Sequence, residues 1–296
     1  MSGTGEGALA PYLERWGLDP DGPADVTPSS VLAPVRRDGT RLMLKVPLVE
    51  EERRGGRLLA AWSGHGAVRV HASDARGAVL MSRAADPGLL VREASATGPG
   101  ADARDDRATR ILVRTALRIH AAPVPDEVRA EAVPLGTWAR ELLEPEHPLP
   151  RAFDRGRDVL RELLDGSARE AVLHGDVHHG NVLRVDDEAP AAGDADGDGA
   201  WRAIDPKALR GDPGFDTANA LCNPTLAIAL GPGRLARRAA VIAEETGRDL
   251  DDVLAWAEAW CALSATWDVG DPERRERVAA LIRLGASARA LRAARA

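Results

Sequence analysis

Cysteine and long apolar runs are scarce in this chain of 296 residues, which has only two cysteines. Cys222 and Cys261 match neither the spacing of a zinc site nor a disulfide framework, so we expect both to be buried apolar residues. No run of about 18 apolar residues occurs, which argues against a membrane-spanning helix. The N-terminus lacks a basic segment followed by an apolar one, so no signal peptide is indicated and a cytoplasmic protein is expected.

Basic residues are outnumbered by acidic ones, 39 against 46, which gives a formal net charge of -7. This balance disfavours nucleic acid as a partner, because nucleic-acid-binding proteins present basic surfaces. It suits a small cationic ligand, since an acidic cleft concentrates positive charge. The oligomeric state does not follow from the sequence, and a monomer is the default expectation.

The length of the chain exceeds that of a common single domain, so we expect two lobes. Near the N-terminus, segments 30–35 and 41–46 flank an Asp38-Gly39 turn, which predicts a β-hairpin. Side chains alternate along a strand, so Lys45 would face a cleft while its neighbours on either side pack inward. Segment 102–120 is amphipathic and predicts a packed helix of the second lobe.

The most informative segments are His174-Gly-Asp-Val-His-His-Gly-Asn181 and Ile204-Asp205-Pro-Lys207. Phosphoryl transfer from ATP needs a carboxylate that orients and deprotonates the acceptor hydroxyl, and oxygen ligands that hold Mg²⁺ against the phosphates. Asp176 and Asn181 have the separation of the base and the metal ligand in a kinase catalytic loop. Asp205 follows an apolar strand-like segment and would be the second metal ligand. Together the segments predict a kinase active site.

At these motifs the chain resembles the aminoglycoside phosphotransferase family, in the branch of the streptomycin 6-kinases and the hydroxyurea phosphotransferase. Four segments carry the resemblance: LHGDVHHGNVLR, AIDPKALRGDPGFD, DGTRLMLKV and WSGHGAVRVHASDARGAVLMSR. It implies an α+β, two-lobed, protein-kinase-like fold, with a small N-lobe of antiparallel sheet at 1–83 and a larger helical C-lobe at 84–296. ATP and Mg²⁺ are the implied cofactors, and the acceptor site would lie in the C-lobe.

The resemblance also implies which residues meet the nucleotide. Lys45 corresponds to the strand lysine that contacts the phosphates. The turn before its hairpin lacks the glycines of a protein kinase, so backbone amides or the hydroxyls of Ser29 and Ser30 would cover the phosphates. Residues 79–83 resemble the link between the lobes, which makes Met81 and Arg83 candidates for contact with adenine.

The carboxylate that should pair with Lys45 is the weak point of the resemblance. Counted back from Trp62, the expected Glu falls at Gly55. Glu51 or Glu52 could substitute if the helix is shifted by about one turn. The alternative is that both acids belong to a solvated helix start, where the positive end of the helix dipole favours them.

Structural roles are expected for the histidines of the central segment. His174 would hydrogen-bond to the backbone and shape the loop, whereas His178 and His179 are disfavoured as metal ligands because Mg²⁺ prefers oxygen. His120 is expected to be packed or to cap a helix. Lys207 would either neutralise phosphate charge or offset the carboxylates around it.

Two acids that follow Asp205 are also expected to be structural. Asp216 would be the N-cap of a helix, and Asp212 would cap it or steady the metal loop, with a minor chance of contacting the substrate. Residues 194–199 match the opening of a calcium loop, but strand-like segments flank them, so a solvated hairpin tip without calcium is expected.

Acidic residues recur in the helical C-terminal third of the chain. They could bind ammonium or guanidinium groups of an acceptor, although most are expected to be solvated. They are Glu244, Glu245, Asp249, Asp251, Asp252, Glu258 and Asp268. Trp260 and Trp267 are spaced to share a helix face and are expected in the core.

The sequence therefore predicts a kinase that transfers the ATP γ-phosphate to a hydroxyl of a small cationic molecule. Asp176 would be the base, Asn181 and Asp205 would hold Mg²⁺, and Lys45 would contact the phosphates. The resemblance implies a streptomycin-type aminoglycoside, with hydroxyurea or an amino sugar as alternatives. The competing hypothesis, motivated by Gly55, is a nucleotide-binding protein without turnover.

Overall fold

A computed structural model describes residues 3–185 and 201–295. The first part of the chain consists of helix α1 (Gly3–Trp16), strands β1 (Asp19–Pro20), β2 (Asp25–Val26), β3 (Ser30–Arg37) and β4 (Thr40–Pro47), helix α2 (Glu50–Ala61), and strands β5 (Val70–Ser73) and β6 (Val79–Ser82). These elements form an antiparallel sheet with one helix on each face.

Helices dominate the rest of the chain. They are α3 (Leu89–Ala94), α4 (Ala101–His120), α5 (Asp126–Glu131), α6 (Leu135–Trp138), α7 (Arg140–Leu143), α8 (Asp154–Gly166), α9 (Gly214–Cys222), α10 (Leu226–Ala229), α11 (Arg234–Thr246), α12 (Leu250–Thr266) and α13 (Arg275–Ala293), with 3₁₀ turns at Arg151–Phe153 and Pro272–Arg274. Short strands lie between them: β7 (Val133–Pro134), β8 (Ala171–Leu173), β9 (Val182–Arg184), β10 (Trp201–Ala203) and β11 (Leu209–Gly211).

The N-terminal sheet has the order β1-β3-β4-β6-β5, with β2 also paired to β3. The predicted hairpin is confirmed as β3 and β4, and its two-residue turn places Asp38 and Gly39 at φ 51° and 80°. Both angles lie in the left-handed region that a tight hairpin turn of this kind requires. Alternation along β4 is also as predicted, because Leu42 and Leu44 are buried beneath α1 while Lys45 faces the opposite side.

The helical part has its core around α12, which packs against α8, α9 and α13. The predicted amphipathic helix is confirmed as α4, and Cys222 and Cys261 are buried, with their Sγ atoms 3.7 Å apart. Among the helices at 3–185 and 201–295, none combines the length and the hydropathy that a bilayer-spanning helix needs.

Two small sheets position the predicted site. Strand β8 pairs antiparallel with β11, and β9 pairs antiparallel with β10. The loop from β8 to β9 therefore lies beside the loop from β10 to β11, which contains Asp205. The strand-like segments predicted on both sides of 194–199 are confirmed as β9 and β10, whereas 194–199 itself lies outside the described residues.

Candidate active site

His174 shapes the loop between β8 and β9. Its Nε2 donates to the carbonyl of Ile204 at 2.7 Å, and its Nδ1 accepts from the backbone amide of Asp176 at 3.2 Å. Complete burial lowers the pKa of His174, so the ring is neutral and carries its proton on Nε2. The expected backbone-binding role of His174 is confirmed.

Asp216 anchors the same loop from α9. Its carboxylate accepts from the backbone amides of His174 at 2.9 Å and Gly175 at 2.7 Å, and from His120 Nε2 at 2.7 Å. Burial opposes ionisation, but the hydrogen bond and charge of His120 outweigh it, and the pKa of Asp216 is lowered. The structural role is as expected, but the N-cap prediction is wrong, because Asp216 lies inside the first turn of α9. Asp212 precedes the N-cap residue Pro213, and its side chain accepts from the Gly214 amide at 2.7 Å.

Asp176 and Asn181 meet within the loop, as their spacing predicted. Asn181 Nδ2 donates to the Asp176 carbonyl at 3.0 Å and to Asp176 Oδ2 at 3.1 Å. Because the amide nitrogen is used in this way, the Asn181 side-chain oxygen stays available for a metal ion. The Ile204 amide also donates to the Asn181 carbonyl at 2.9 Å, which brings Asn181 next to Asp205.

Lys45 lies on the other side of Asp205 and forms ion pairs with Asp205 and with Glu52 of α2. Burial of Asp205 opposes its ionisation, but the charges of Lys45 and Lys207 outweigh this and lower the pKa of Asp205. Asp205 is therefore ionised, as a carboxylate ligand of a metal ion has to be. The side chain of Glu52 is only 5% exposed, so of the two acids proposed for Lys45 the structure selects Glu52.

Gly55 does not occupy the position of a missing acid. A Cβ atom at Gly55 would lie 2.2 Å from the carbonyl oxygen of Pro206, and one at Gly56 would lie 1.9 Å from that of Gly77. Because neither glycine has a side chain, α2 can lie in direct contact with the backbone at Pro206 and Gly77, which a Cβ atom would prevent. The register counted from Trp62 was therefore wrong, and the alternative that Glu52 belongs to a solvated helix start is wrong as well.

Lys207 shares the Glu52 carboxylate with Lys45. Its Nζ lies 3.0 Å from Glu52 Oε1 and 3.3 Å from Glu51 Oε1. Burial favours the neutral form, but Asp205 and the two glutamates outweigh it and raise the pKa of Lys207. Lys207 is therefore a permanent cation beside the Asp205 carboxylate.

The oxygens of this region fit Mg²⁺. Among residues 3–185 and 201–295, no cluster of three or more His, Cys, Asp and Glu side chains forms a closed metal site. Asp205 and Asn181 instead present an open pair of oxygen ligands, which suits an ion that keeps water and phosphate oxygens in its shell.

His178 points its Nε2 toward Asp176 Oδ2 at 3.6 Å. His179 is buried, and burial together with nearby arginine charge lowers its pKa well below the usual range.

Of the two serines predicted to cover the phosphates, Ser29 lies in the turn between β2 and β3, and Ser30 is the first residue of β3. Thr27 Oγ1 closes this turn by accepting from the Ser30 amide at 2.9 Å, and it lies 3.3 Å from the Ser29 hydroxyl. Ser30 is buried and lies two residues before Leu32, which is the cross-strand partner of Lys45. The turn is therefore close to the level of Lys45 along the sheet, and phosphate binding by the serines stays a prediction.

Met81 and Arg83 occupy different environments at the end of the sheet. Met81 lies within β6, in register with Met43 and Val70, and its side chain is buried. Arg83 follows the strand and donates to Asp21 Oδ2 at 2.8 Å. Their contact with adenine stays a prediction, and only Arg83 lies beyond the sheet.

A cavity of about 370 Å³ opens beside Asp176. Its charged lining residues are Asp176, Glu51, Lys207 and Arg277, and its aromatic ones are Trp138, Trp260 and Trp267. Trp260 is buried, as predicted, but Trp267 is 43% exposed, so its assignment to the core is wrong. The ring of Trp267 meets those of Trp138 and Trp260 edge-on at centroid distances of 6.4 and 5.7 Å.

The acids of the C-terminal helices are mostly paired within the protein. Asp251 and Glu258 pair with Arg292, and Asp268 pairs with Arg277. Glu244, Glu245 and Asp252 also pair with arginines, and Asp249 caps α12. None of these seven acids is among the residues that line the cavity within the described parts of the chain, so the idea that they bind the acceptor has no support.

Asn219 is a site residue that the sequence did not reveal. Its Nδ2 donates to Asp176 Oδ1 at 2.8 Å. The sequence feature that could have revealed Asn219 is its position three residues after Asp216, because residues three apart lie on one face of a helix. Trp138 lies in a four-residue helix without any comparable pattern.

Comparisons with known proteins agree with this geometry. The family described as "Aminoglycoside/hydroxyurea antibiotic resistance kinase" matches residues 15–271. Streptomycin 3''-kinase of Klebsiella pneumoniae is 40% identical over 269 residues, which cover 88% of this chain and 91% of that protein. Streptomycin 6-kinase of Streptomyces griseus is 30% identical over 273 residues, which cover 89% and 82%.

A solved structure shows the same fold. A thermostable mutant of aminoglycoside phosphotransferase APH(4)-Ia, in a ternary complex with AMP-PNP and hygromycin B, has a TM-score of 0.59 and 12% identity, covering 95% of this chain and 97% of that one. At this identity the similarity shows the fold alone. The predicted α+β, kinase-like fold, with an antiparallel sheet in its N-lobe and a mostly helical remainder, is confirmed.

Proposed function

Because the chain belongs to the aminoglycoside/hydroxyurea antibiotic resistance kinase family, we propose that it phosphorylates a hydroxyl of a streptomycin-type aminoglycoside. The family makes it an ATP-dependent phosphotransferase, as predicted. The observation that carries the proposal is the position of Asp176, whose carboxylate is held by two amide donors at the wall of a cavity with three tryptophans.

In this proposal Asp176 orients the acceptor hydroxyl and accepts its proton as the oxygen attacks the γ-phosphorus of ATP, whose bond to the bridging oxygen breaks so that ADP leaves. Lys45, held by Glu52, contacts the phosphates. Asn181 and Asp205 would hold Mg²⁺, which when bound neutralises charge on the phosphate oxygens. Most of the rate enhancement then comes from positioning and from compensation of charge.

The nucleotide would lie between the two proposed lobes, 1–83 and 84–296. Its phosphates would meet Lys45 from β4 and the turn that contains Ser29 and Ser30. Its adenine would meet the backbone of the link at 79–83, where Arg83 is the candidate that lies beyond the sheet.

The cavity suits an acceptor with rings, because three tryptophans line it. The half-exposed face of Trp267 can receive a guanidinium or sugar ring, because cations and ring faces both bind to aromatic surfaces. The charges of the lining are balanced, because Glu51 and Asp176 are acidic and Lys207 and Arg277 are basic. The two streptomycin kinases named above modify different hydroxyls, so the position of phosphorylation is to be measured.

Hydroxyurea is the second candidate, because the family includes kinases of hydroxyurea. It would fill only a small part of a cavity of about 370 Å³, so the geometry favours the larger acceptor. The alternative of nucleotide binding without turnover loses its motivation, because Glu52 pairs with Lys45.

The test is transfer of labelled γ-phosphate from Mg-ATP to streptomycin, other aminoglycosides, hydroxyurea and amino sugars, with Asp176→Asn assayed in parallel. We expect a streptomycin product in the wild type, a loss of at least about 1000-fold in the variant, and retained ATP binding. NMR of the product identifies the hydroxyl. Transfer to hydroxyurea alone would favour the second candidate, and ATP binding without any product would contradict the proposal.

A further inference from the structure

One face of α9 contacts the loop between β8 and β9, which carries Asp176, at two successive turns of the helix. Asp216, in the first turn, binds the backbone amides of His174 and Gly175. Asn219 lies one turn later on the same face and is 4% exposed, and its amide reaches the side chain of Asp176. The helix therefore fixes both the path of the loop and the carboxylate that the loop presents.

The two oxygens of Asp176 receive one amide donor each. Oδ1 accepts from Asn219 at 2.8 Å, and Oδ2 accepts from Asn181 at 3.1 Å. A carboxylate held at both oxygens cannot rotate about its last bond without losing a hydrogen bond. Each oxygen still has a second lone pair for the acceptor hydroxyl.

The orientation of the Asn219 amide is itself determined by Asn223. Asn223 Nδ2 donates to Asn219 Oδ1 at 2.8 Å and to the Asn219 carbonyl at 3.0 Å. The oxygen of Asn219 is thereby occupied, and its nitrogen must face Asp176, because a carboxylate only accepts. A flipped amide would lose both side-chain contacts.

A buried ion pair holds Asn223 in turn. Arg238 donates to the carbonyl of Asn223, and to that of Ala220 at 3.3 Å. Its guanidinium pairs with Asp105 at 2.6 Å, and neither residue is exposed to solvent. The chain of contacts thus runs from an ion pair between α4 and α11, through the end of α9, to Asp176.

We propose that Asn219 is a positioning residue that orients the Asp176 carboxylate toward the acceptor hydroxyl, with Asn223 and Arg238 determining the direction of its amide. The kinetic part of this proposal rests on the proposed function. Loss of Asn219 leaves Asp176 held at one oxygen only, by Asn181, so the carboxylate is less well oriented, which lowers the rate of the bound complex more than the binding of either substrate.

The kinetic test compares Asn219→Ala, Asn223→Ala and the double variant, with Thr217→Val as the control. Thr217 is a buried residue of α9 whose hydroxyl bonds only to the Gly214 carbonyl among the hydrogen bonds of the described residues, so its replacement perturbs the helix without touching Asp176. We expect Asn219→Ala to lower kcat about 30- to 100-fold, with the acceptor KM within about threefold of the wild type.

The same kinetics test the chain of contacts. Asn223→Ala should lower kcat about 5- to 10-fold alone and have no further effect when Asn219 is already alanine, because it acts through that residue. Thr217→Val should stay within about twofold. A kcat of Asn219→Ala within threefold of the control, or equal changes in kcat and KM, would overturn the proposal.

A second measurement needs no acceptor. Thermal unfolding of the wild type, Asn219→Ala, Asp176→Ala and their double variant forms a double-mutant cycle for the contact itself. We expect the two changes in stability to be non-additive, and additivity would refute the contact. If the wild type phosphorylates none of the acceptors, the proposed function fails, while this cycle still decides whether Asn219 holds Asp176.

Discussion

Replacing Glu52 by glutamine keeps the shape of the side chain and removes the charge that Lys45 and Lys207 share. Glu52 is buried, and removal of one partner from a buried ion pair costs about 3–5 kcal/mol. Each lysine retains another carboxylate, Asp205 or Glu51, so we expect a smaller loss of about 2–3 kcal/mol in the free energy of unfolding. For a chain of this size the melting temperature should fall by about 4–6 °C.

The kinetic effect should be of about the same size in free energy as the loss of stability. Without Glu52, Lys45 is held by Asp205 alone, which would itself be engaged with Mg²⁺ in the working enzyme. A charge-assisted hydrogen bond from Lys45 to phosphate is worth about 2–3 kcal/mol, which corresponds to about 30- to 150-fold in kcat/KM for ATP. The assay is steady-state transfer at saturating acceptor with ATP varied, alongside thermal unfolding.

Glu51→Gln is the matched control. Glu51 is the preceding residue of α2, its side chain is 34% exposed, and its partner Lys207 lies 3.3 Å away. Partly exposed pairs contribute at most about 1 kcal/mol, so kcat/KM for ATP should change by less than about fivefold. The reasoning is refuted if Glu51→Gln causes the larger loss of ATP kinetics, or if the two variants behave alike.

Three further predictions concern other parts of the chain. Gly55→Ala should destabilise the protein by about 2–3 kcal/mol and lower kcat, because its Cβ would lie 2.2 Å from the Pro206 carbonyl oxygen; unfolding and transfer assays measure both effects. Burial and the adjacent Asp74 carboxylate raise the pKa of Tyr12 above its value in the unfolded chain. The protonated tyrosine therefore stabilises the fold in full below about pH 10, and this contribution is lost as the pH rises through the pKa of the folded state. It is the only tyrosine, and the tyrosinate absorbance should therefore titrate at a lower pH in Asp74→Asn. Trp267→Ala should raise the acceptor KM about tenfold with a smaller change in kcat, as measured with the acceptor varied.

Controls separate these effects from general damage. Gly7→Ala lies in α1, where an added Cβ would meet no atom within 4 Å, so it should be neutral or stabilise by up to about 1 kcal/mol. Equal behaviour of Gly7→Ala and Gly55→Ala would contradict the argument from close approach. An unchanged tyrosine titration in Asp74→Asn would show that Asp74 does not act on Tyr12, and an unchanged KM in Trp267→Ala would remove Trp267 from the acceptor site.

Features that depend on neighbours in the sequence were predictable. The Asp38-Gly39 turn needs two residues that tolerate positive φ, and the side of the sheet that Lys45 faces follows from strand alternation. Asp176 and Asn181 meet because the loop between them is short enough to fold back on itself. Covalent geometry alone limits these arrangements to a few possibilities.

Features that depend on contact between distant segments needed the tertiary structure. Glu52 rather than Gly55 faces Lys45, because α2 can pack against Pro206 only where it carries no side chain. Trp267 is left half-exposed at the cavity, at the end of a helix whose other tryptophans are buried.

The partners of charged groups were the least predictable. Arginines neutralise the acids of the C-terminal helices, and Asn219 reaches Asp176 across 43 residues of sequence. The sequence by itself determined which chemical groups the site contains and how the catalytic loop is spaced. Only the tertiary structure decided which long side chains pair, because that choice depends on how closely the backbones of separate elements approach one another.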